Sequence, residues 1–323
     1  MAQDEVRFDG RAILVTGAGR GMGRTHALLL ASRGAKVVVA DNGSTMDGDD
    51  PSTGPAESVV AEIKASGGEA VACTADLATE PGSNQAVETT LKAFGRIDGI
   101  LHNASTVPNL VTVENLSSHD LDLVMRINTF AAMWMSRAAW PHMVAQKYGR
   151  ILYTASGAIF GADGNGPYAA AKCANMGMMR CLASEGRKHG ILINLVAPSA
   201  RTRMTDFHPG PYRDWFFKTM LPEKVSVGAA YLMSDACNIT GEVLAIGGGR
   251  VARITFAENE GYFGEGASIE EIREAMPQVM ADAEFAYPKD LTERSARISK
   301  LFGFEGGGLA ATNGFAVKQR ERK

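Results

Sequence analysis

Seven short runs of consecutive apolar residues, separated by longer segments with helical spacing, constrain this chain more than any other feature of its sequence. The runs are Ala12–Thr16, Lys36–Ala40, Ala70–Thr74, Gly99–Leu101, Arg150–Tyr153, Leu192–Val196 and Val243–Ile246. Between them lie Gly23–Ser32, Pro55–Ala65, Gln85–Phe94, Leu121–Val144, Tyr168–Lys188 and Lys224–Ser234. A strand that is apolar along its whole length is covered on both faces, and alternation with helices makes its neighbours parallel. The pattern predicts an α/β fold: one doubly wound parallel sheet of seven strands with helices on both faces. Residues 1–250 are read as a single domain. Residues 251–323 are read as a partly helical C-terminal extension, with a helix over Ile269–Phe285, packed on the core or on a neighbouring subunit.

Composition narrows the function. At 323 residues and 45% hydrophobic, the chain can bury a large core. A formal net charge of −3 gives no reason to expect a nucleic-acid partner. Cys73, Cys173, Cys181 and Cys237 have neither C-x-x-C pairing nor metal-ligand spacing, so no metal is expected and the thiols read as reduced. No apolar window approaches the ~20 residues of a membrane span, and the first residues lack a signal-peptide pattern. A cytoplasmic location is the expectation.

A nucleotide site is legible at the first strand's end, where Thr16-Gly17-Ala18-Gly19-Arg20-Gly21-Met22-Gly23 runs straight into a helix. Glycines let the backbone turn sharply and approach a pyrophosphate, which then sits on the free N–H groups of the helix. This is the Rossmann arrangement of a dinucleotide-binding domain. Asp41 follows the second strand, where a carboxylate accepts both adenosine ribose hydroxyls and repels a 2′-phosphate. Arg20 argues for NADP, but Asp41 stands where the extra phosphate must go, so NAD is expected.

The chemistry is carried further on. Of the seven tyrosines, only Tyr168 has a lysine four residues later, Lys172, which puts both side chains on one helix face. A phenol with its ordinary pKa near 10 is a poor base at neutral pH, and an adjacent ammonium stabilises the phenolate. Asn128, on the helix Leu121–Val144, is a candidate to hold a relay water beside the lysine.

Together these residues resemble the short-chain dehydrogenase/reductase family. The resemblance rests on Gly17, Gly21 and Gly23, on Asp76 before Leu77, on Asn103-Ala104, on Asn128, and on Tyr168 with Lys172. It implies that Tyr168 is the acid/base, that Lys172 orients the ribose and tunes the phenol, that Ser156 hydrogen-bonds the substrate oxygen and that Asn128 completes the relay. It also implies cofactor contacts from Gly17, Arg20, Gly21, Met22, Gly23, Asp41, Asp76, Leu77, Asn103, Ala104, Pro198 and Thr205, besides Tyr168 and Lys172. Assembly as a homodimer or homotetramer is implied as well.

Two departures from the family pattern matter. Where the family reads Asn-Asn-Ala-Gly, this chain has His102-Asn103-Ala104-Ser105, and Ser105 adds a side chain where the backbone normally approaches the cofactor. The family serine lies thirteen residues before the tyrosine; here that position is Ala155, and Ser156 is twelve before. A one-residue deletion within 157–167 restores Ser156 to its role. The alternative is an enzyme without that hydroxyl, or an inactive homologue.

Within the family, Asp41-Asn42-Gly43, Gly149–Ser156 and Pro198–Thr205 are similar to the branch containing the (3R)-hydroxyacyl-CoA dehydrogenase units of peroxisomal multifunctional enzymes. The chain ends in Glu321-Arg322-Lys323, which is not a peroxisomal address. The stretch Met204–Pro222 carries Phe207, Tyr212, Trp215, Phe216, Phe217 and Met220 and reads as a loop closing over a bulky apolar small molecule. Phe207, Trp215 and Phe216 are the candidate substrate contacts. Met133, Met135, Met176, Met178 and Met179 read as core or subunit packing. The expected function is NAD-dependent interconversion of a secondary alcohol and a ketone on such a substrate. The alternatives are an extended-type epimerase or lyase that recycles its cofactor in place, which the glycine spacing opposes, and a non-catalytic NAD-binding protein.

Overall fold

The structure is a computed structural model, and it describes residues 5–45, 49–107, 110–205, 210–264, 268–281 and 284–304. Its first unit alternates strands and helices: β1 (Ala12–Thr16), α1 (Gly21–Ser32), β2 (Lys36–Ala40), α2 (Gly54–Ala65), β3 (Glu69–Cys73), α3 (Glu80–Phe94) and β4 (Gly99–His102). It continues with α4 (Ser118–Met125), α5 (Ala131–Gln146), β5 (Gly149–Thr154), α6 (Gly166–Gly186), β6 (Ile191–Ser199), α7 (Gly210–Thr219), α8 (Pro222–Met233), β7 (Val243–Gly247) and β8 (Arg250–Ile254). The strands form one sheet in the order β3-β2-β1-β4-β5-β6-β7-β8, parallel from β3 to β7.

The doubly wound class is as expected, but the sheet has eight strands, not seven. β8 pairs antiparallel with β7 through Gly248-Gly249, both at positive φ (+60° and +95°). A two-residue hairpin needs that left-handed backbone, which glycine adopts without steric cost. The first compact unit therefore runs through Ile254, and a second begins at Thr255. The second unit holds α9 (Ile269–Val279), shorter than the helix read over Ile269–Phe285, and α10 (Leu291–Leu301).

The apolar runs are continuous because both faces are covered. On one face Ile13, Val15, Val37 and Val39 pack with Ala27 and Leu30 of α1, Val59 of α2 and Val225 of α8. On the other, Leu14, Val38, Ile100 and Ile151 pack with Ala86 of α3, Met135 and Met143 of α5 and Met179 of α6. The methionines thus divide: Met135, Met176 and Met179 are core, Met178 is partly buried against it, and Met133 is 41% exposed. Among the described residues no helix is long and apolar enough to cross a membrane.

The segment read as one helix, Leu121–Val144, is three pieces. α4 passes into a π-helical turn, Arg126–Phe130, before α5. Such turns interrupt the backbone ladder and are common at functional sites. Asn128 lies within it, fully buried.

Two buried histidines tie elements together as neutral rings. His26 of α1 meets Ser226 of α8 through Nδ1 at 2.8 Å, and burial pushes its pKa down to about 4. His102, at the end of β4, is pushed down to about 3, chiefly by burial and then by the nearby Lys172. Below the ordinary histidine value near 6.5, the unfolded chain binds protons that the folded chain excludes. Stability is therefore lost as pH falls from about 6.5 toward these lowered values, by about 2 kcal/mol per ring at pH 5. Urea unfolding at pH 7 and pH 5 measures this. His26→Asn keeps a hydrogen-bonding atom near the Nδ1 position and is expected to remove about half of the histidine-linked loss; an unchanged pH dependence in that variant would contradict the assignment.

Candidate active site

The site lies along the carboxyl edge of the sheet, at the switch between β1 and β4. There the chain winds outward to β2 and β3 on one side and to β5 on the other. Open α/β sheets bind ligands at that point because the loops leaving adjacent strands diverge and leave a crevice.

The turn after β1 is built for close approach. Gly17 and Gly21 have φ of +60° and +52°, in the left-handed region. A Cβ on Gly17 would stand 2.8 Å from the Ala104 Cα, and one on Gly23 would stand 1.9 Å from the Gly17 carbonyl oxygen. The N-cap of α1 is Arg20, whose side chain makes no capping bond and reaches the Gly43 carbonyl instead, at 3.2 Å. The first N–H groups of α1 are thus left without a side-chain cap, as an anion seat requires. Asn103 Nδ2 donates to the Gly17 carbonyl at 3.2 Å, while its buried Oδ1 has no protein partner. Met22 is partly buried against the core beneath the turn.

Asp41, immediately after β2, accepts from Gly19 N–H through Oδ2 at 2.8 Å and from Gly43 N–H through Oδ1 at 2.7 Å. Each oxygen keeps a lone pair, so the carboxylate is held in place and can still accept ribose hydroxyls. Asp76 is exposed after β3 and uses Oδ1 to accept the Ala78 N–H, while Leu77 is buried. Asn103 and Ala104 donate their N–H groups to Thr16 Oγ1 at 3.1 and 3.0 Å. With both acceptor sites filled, the Thr16 hydroxyl donates to His102 Nδ1 at 2.9 Å, and Nε2–H donates to the Ile127 carbonyl at 3.0 Å. His102, the family-pattern departure, thereby bridges β1 and the π-turn. An uncapped helix end, glycines that admit no Cβ, and a backbone-held carboxylate together fit a dinucleotide.

Tyr168 and Lys172 stand on the first turns of α6, which opens on Pro167, a residue preorganised for a first helical turn. Tyr168 is 9% exposed and Lys172 1%. The Lys172 Nζ lies 5.2 Å from the Tyr168 ring centre, so the four-residue spacing does bring the pair together. Burial lowers the Lys172 ammonium to about 7 and raises the Tyr168 phenol; the Ser156 and Ser105 hydroxyls that face the phenol pull it back down. Of the two neighbours it is Ser156 that acts on the phenol: Ala155 is buried directly after β5, whereas Ser156 caps the short 3₁₀ turn Gly157–Phe160 by accepting the Ala158 N–H at 3.1 Å. Asn128 spends its side-chain amide locally, its Nδ2 donating to the Thr106 and Val124 carbonyls at 3.0 Å each and its Oδ1 accepting from Ser105.

The remaining candidates make local contacts of their own. Pro198 lies within β6, paired with Ile246. The Thr205 hydroxyl is spent within its own turn, accepting from Thr202 N–H at 2.9 Å and donating to the Thr202 carbonyl at 3.0 Å. Phe207 lies outside the described residues. The stretch read as a loop over Met204–Pro222 contains a ten-residue helix, α7. Along it Phe216 is buried at 7% and Trp215 is 49% exposed, with Tyr212 5.5 Å from the Trp215 ring and 6.0 Å from that of Phe216. Ser105 was the contact that sequence reasoning missed. Its hydroxyl donates to Asn128 and pulls the Tyr168 phenol down, and the only signal for it was a serine standing at a family glycine.

Known proteins resemble this chain over most of its length. A family profile described as short chain dehydrogenase matches residues 11–208. A protein from Mycobacterium tuberculosis named a short-chain type dehydrogenase/reductase is 39% identical over 253 residues, 78% of this chain and 87% of that one. A peroxisomal hydratase-dehydrogenase-epimerase from Neurospora crassa is 38% identical over 260 residues, which are 80% of this chain but only 28% of that protein. Among solved structures, full-length peroxisomal multifunctional enzyme type 2 from Drosophila melanogaster superposes with a TM-score of 0.77 at 28% identity, covering 94% of this chain and 51% of that one. This chain thus spans between about a quarter and two thirds of the multifunctional enzymes it matches. On the profile match and these likenesses, the chain belongs to the short-chain dehydrogenase/reductase family, oxidoreductases that act on CH–OH groups with a nicotinamide cofactor.

Proposed function

We propose that the protein oxidises a secondary alcohol on a bulky, apolar acyl substrate to the ketone, and reduces it back, with NAD as cofactor and a (3R)-hydroxyacyl-CoA thioester as the best candidate substrate. The observation that carries this reading is the Tyr168–Lys172 pair on one face of α6, with Ser156 against the phenol. The Rossmann turn at the same sheet edge supports it. The likeness to the dehydrogenase unit of multifunctional enzymes favours an acyl substrate, and the aromatic ridge of Tyr212, Trp215 and Phe216 on α7 supplies apolar surface for one.

Gly17–Gly23 and the start of α1 would hold the pyrophosphate, and Asp41 the adenosine ribose. Asn103, Tyr168 and Lys172 would face the nicotinamide half. When bound, the oxidised nicotinamide supplies the hydride acceptor and a positive charge near the phenol. In the oxidative direction Tyr168 accepts the alcohol proton. Ser156, whose lone pair already takes the Ala158 N–H, can turn its hydrogen from the phenol to the substrate oxygen. Lys172, buried and close to the ring, stabilises the phenolate whenever it carries its proton. In the reductive direction the same phenol returns its proton to the ketone oxygen.

The test is NADH formation, followed by absorbance, across (3R)-hydroxyacyl-CoA esters, hydroxysteroids and terpenoid alcohols. Turnover on the thioesters with NAD preferred over NADP is expected, and Asp41→Ala is expected to shrink that preference at least tenfold, the value of about 1.4 kcal/mol. Release of a racemised or cleaved product without net NADH would favour the epimerase or lyase reading. A wild type that prefers NADP would assign the choice to Arg20, with Arg203 beside it.

A further inference from the structure

Ser105 stands where the family has glycine, and the structure gives its side chain a specific partner. Its Oγ donates to Asn128 Oδ1 at 2.5 Å. The direction of that bond is fixed by the rest of the amide. Both Asn128 Nδ2 hydrogens are spent on the Thr106 and Val124 carbonyls, so the atom facing Ser105 is the oxygen, which can only accept. The Asn128 backbone is held too: its carbonyl accepts the Asn175 Nδ2 at 2.8 Å, and the residue is fully buried in the π-turn. Asn128 is therefore a rigid acceptor, and the Ser105 hydroxyl parked on it is also one of the two that pull the Tyr168 phenol down.

We propose that Ser105 is a positioning residue for Tyr168: its hydrogen rests on the Asn128 side-chain oxygen while the phenol is neutral and turns to the phenol oxygen when that oxygen becomes charged. A hydroxyl has one hydrogen and a rotor, so it serves one partner at a time. Hydrogen bonds to an ionised acceptor are roughly twice as strong as neutral ones, so the switch favours the phenolate even though Asn128 loses its partner. Ser156 does not duplicate this role, because its hydrogen belongs to the substrate oxygen during the reaction. Asn128 thus acts on the phenol through Ser105, in addition to any water it holds. This inference rests on the reading of Tyr168 as the acid/base.

The other groups around Tyr168 leave few titrations to confuse the outcome. From its own helix comes Lys172, and beyond Lys172 lies His102 of β4. Among the described residues, the apolar side chains packed with it are Ala171 of its own helix, Val124 and Met125 of α4, Ala158 of the 3₁₀ turn and Val107.

Two measurements test the proposal. The first is the pH profile of kcat in the oxidative direction. Ser105→Ala is expected to move its acidic limb upward by about one pH unit, so that turnover on that limb falls about tenfold while the alkaline plateau and the dinucleotide affinity are kept. Ser105→Thr, which restores a hydroxyl, is expected to return the limb toward the wild-type position. A limb that does not move in Ser105→Ala, or plateau and limb falling together in both variants, would overturn the proposal. The second measurement needs no turnover: carbon-13 NMR of Cζ-labelled tyrosine with NAD added, Tyr168 being identified by its loss in Tyr168→Phe. A Tyr168 midpoint about one unit higher in Ser105→Ala supports the proposal, and equal midpoints reject it. A wild type inactive on every secondary alcohol would sink the functional reading, and the NMR titration would still decide the role of Ser105.

Discussion

Tyr168→Phe is expected to lower kcat at least 10²-fold, the usual scale for losing a general acid/base, with dinucleotide binding unchanged. The substitution removes one oxygen and leaves the packing. The ring is buried with Val124 and Ala171, contacts that phenylalanine keeps, and the Lys172 Nζ remains 5.2 Å from the ring centre. The proposed pyrophosphate and adenosine seat, formed by the β1 turn and Asp41 with Asn103 behind it, makes no bond with the phenol hydroxyl. What disappears is the atom proposed to exchange the substrate proton. Ser156 is a poor substitute as a base, since a hydroxyl at neutral pH gives up its proton far less readily than a phenol. Among the described residues around the phenol, Lys172 has a pKa, about 7, that suits the task, but it stands at the ring and not at the reacting oxygen. Steady-state kinetics gives kcat, and quenching of tryptophan fluorescence gives cofactor affinity. Near-normal turnover in the variant would move proton transfer away from Tyr168 and leave the ring a packing role.

The sequence carries the architecture because period and burial agree: β1 and β5 are buried along their whole length, and the apolar runs had no other reading. β8 was missed although its signal is plain in retrospect. Gly248-Gly249 between two strand-forming runs is a hairpin turn, and a domain boundary drawn at 250 falls at that turn. α7 was read as loop because its segment holds Pro209, Gly210 and Pro211, but Pro211 sits in the first turn of a helix, where its missing N–H costs nothing. α10 announces itself by Asp290 capping the Glu293 N–H at 2.9 Å while the Glu293 carboxylate takes the Lys289 N–H at 3.0 Å. The π-turn is different in kind. Arg126–Phe130 contains neither proline nor glycine, and its extra residue is set by tertiary contacts: His102 on the Ile127 carbonyl and Asn175 on that of Asn128. Within the site, residues joined by helical spacing or by a turn motif were legible. The Ser105–Asn128 contact joins residues 23 apart in sequence, through a turn that no local pattern encodes.

Gly23→Ala is expected to weaken dinucleotide binding at least 100-fold, more than any other single methyl group added to the turn. A Cβ at this position would lie 1.9 Å from the Gly17 carbonyl oxygen, 2.6 Å from the Gly17 carbonyl carbon and 2.7 Å from Asn103 Nδ2. The nearest obstacles are backbone atoms, not flexible side-chain ends, so relief needs a movement of more than an ångström between α1 and the turn. The helix cannot supply it cheaply. Ala27 and Leu30 are fully buried against the sheet, and His26 is tied to Ser226 of α8. The turn must open instead, carrying Gly17 away from Asn103 and pulling Gly19 off the Asp41 carboxylate. Those are the contacts that shape the pyrophosphate seat, and a 100-fold loss corresponds to about 2.7 kcal/mol. Overpacking of this kind also costs about 1–3 kcal/mol of stability, so circular dichroism at the assay temperature must show a folded variant before affinity is read. Gly21→Ala is the comparison. Its Cβ meets nothing closer than the Thr202 Cγ2 at 3.6 Å, and its cost is the left-handed backbone alone, φ +52°, which is of order 1–3 kcal/mol and local. Calorimetric titration with NAD should therefore rank wild type first, Gly21→Ala second and Gly23→Ala last. A folded Gly23→Ala protein that binds NAD as tightly as the wild type would show that the phosphates do not sit on this turn.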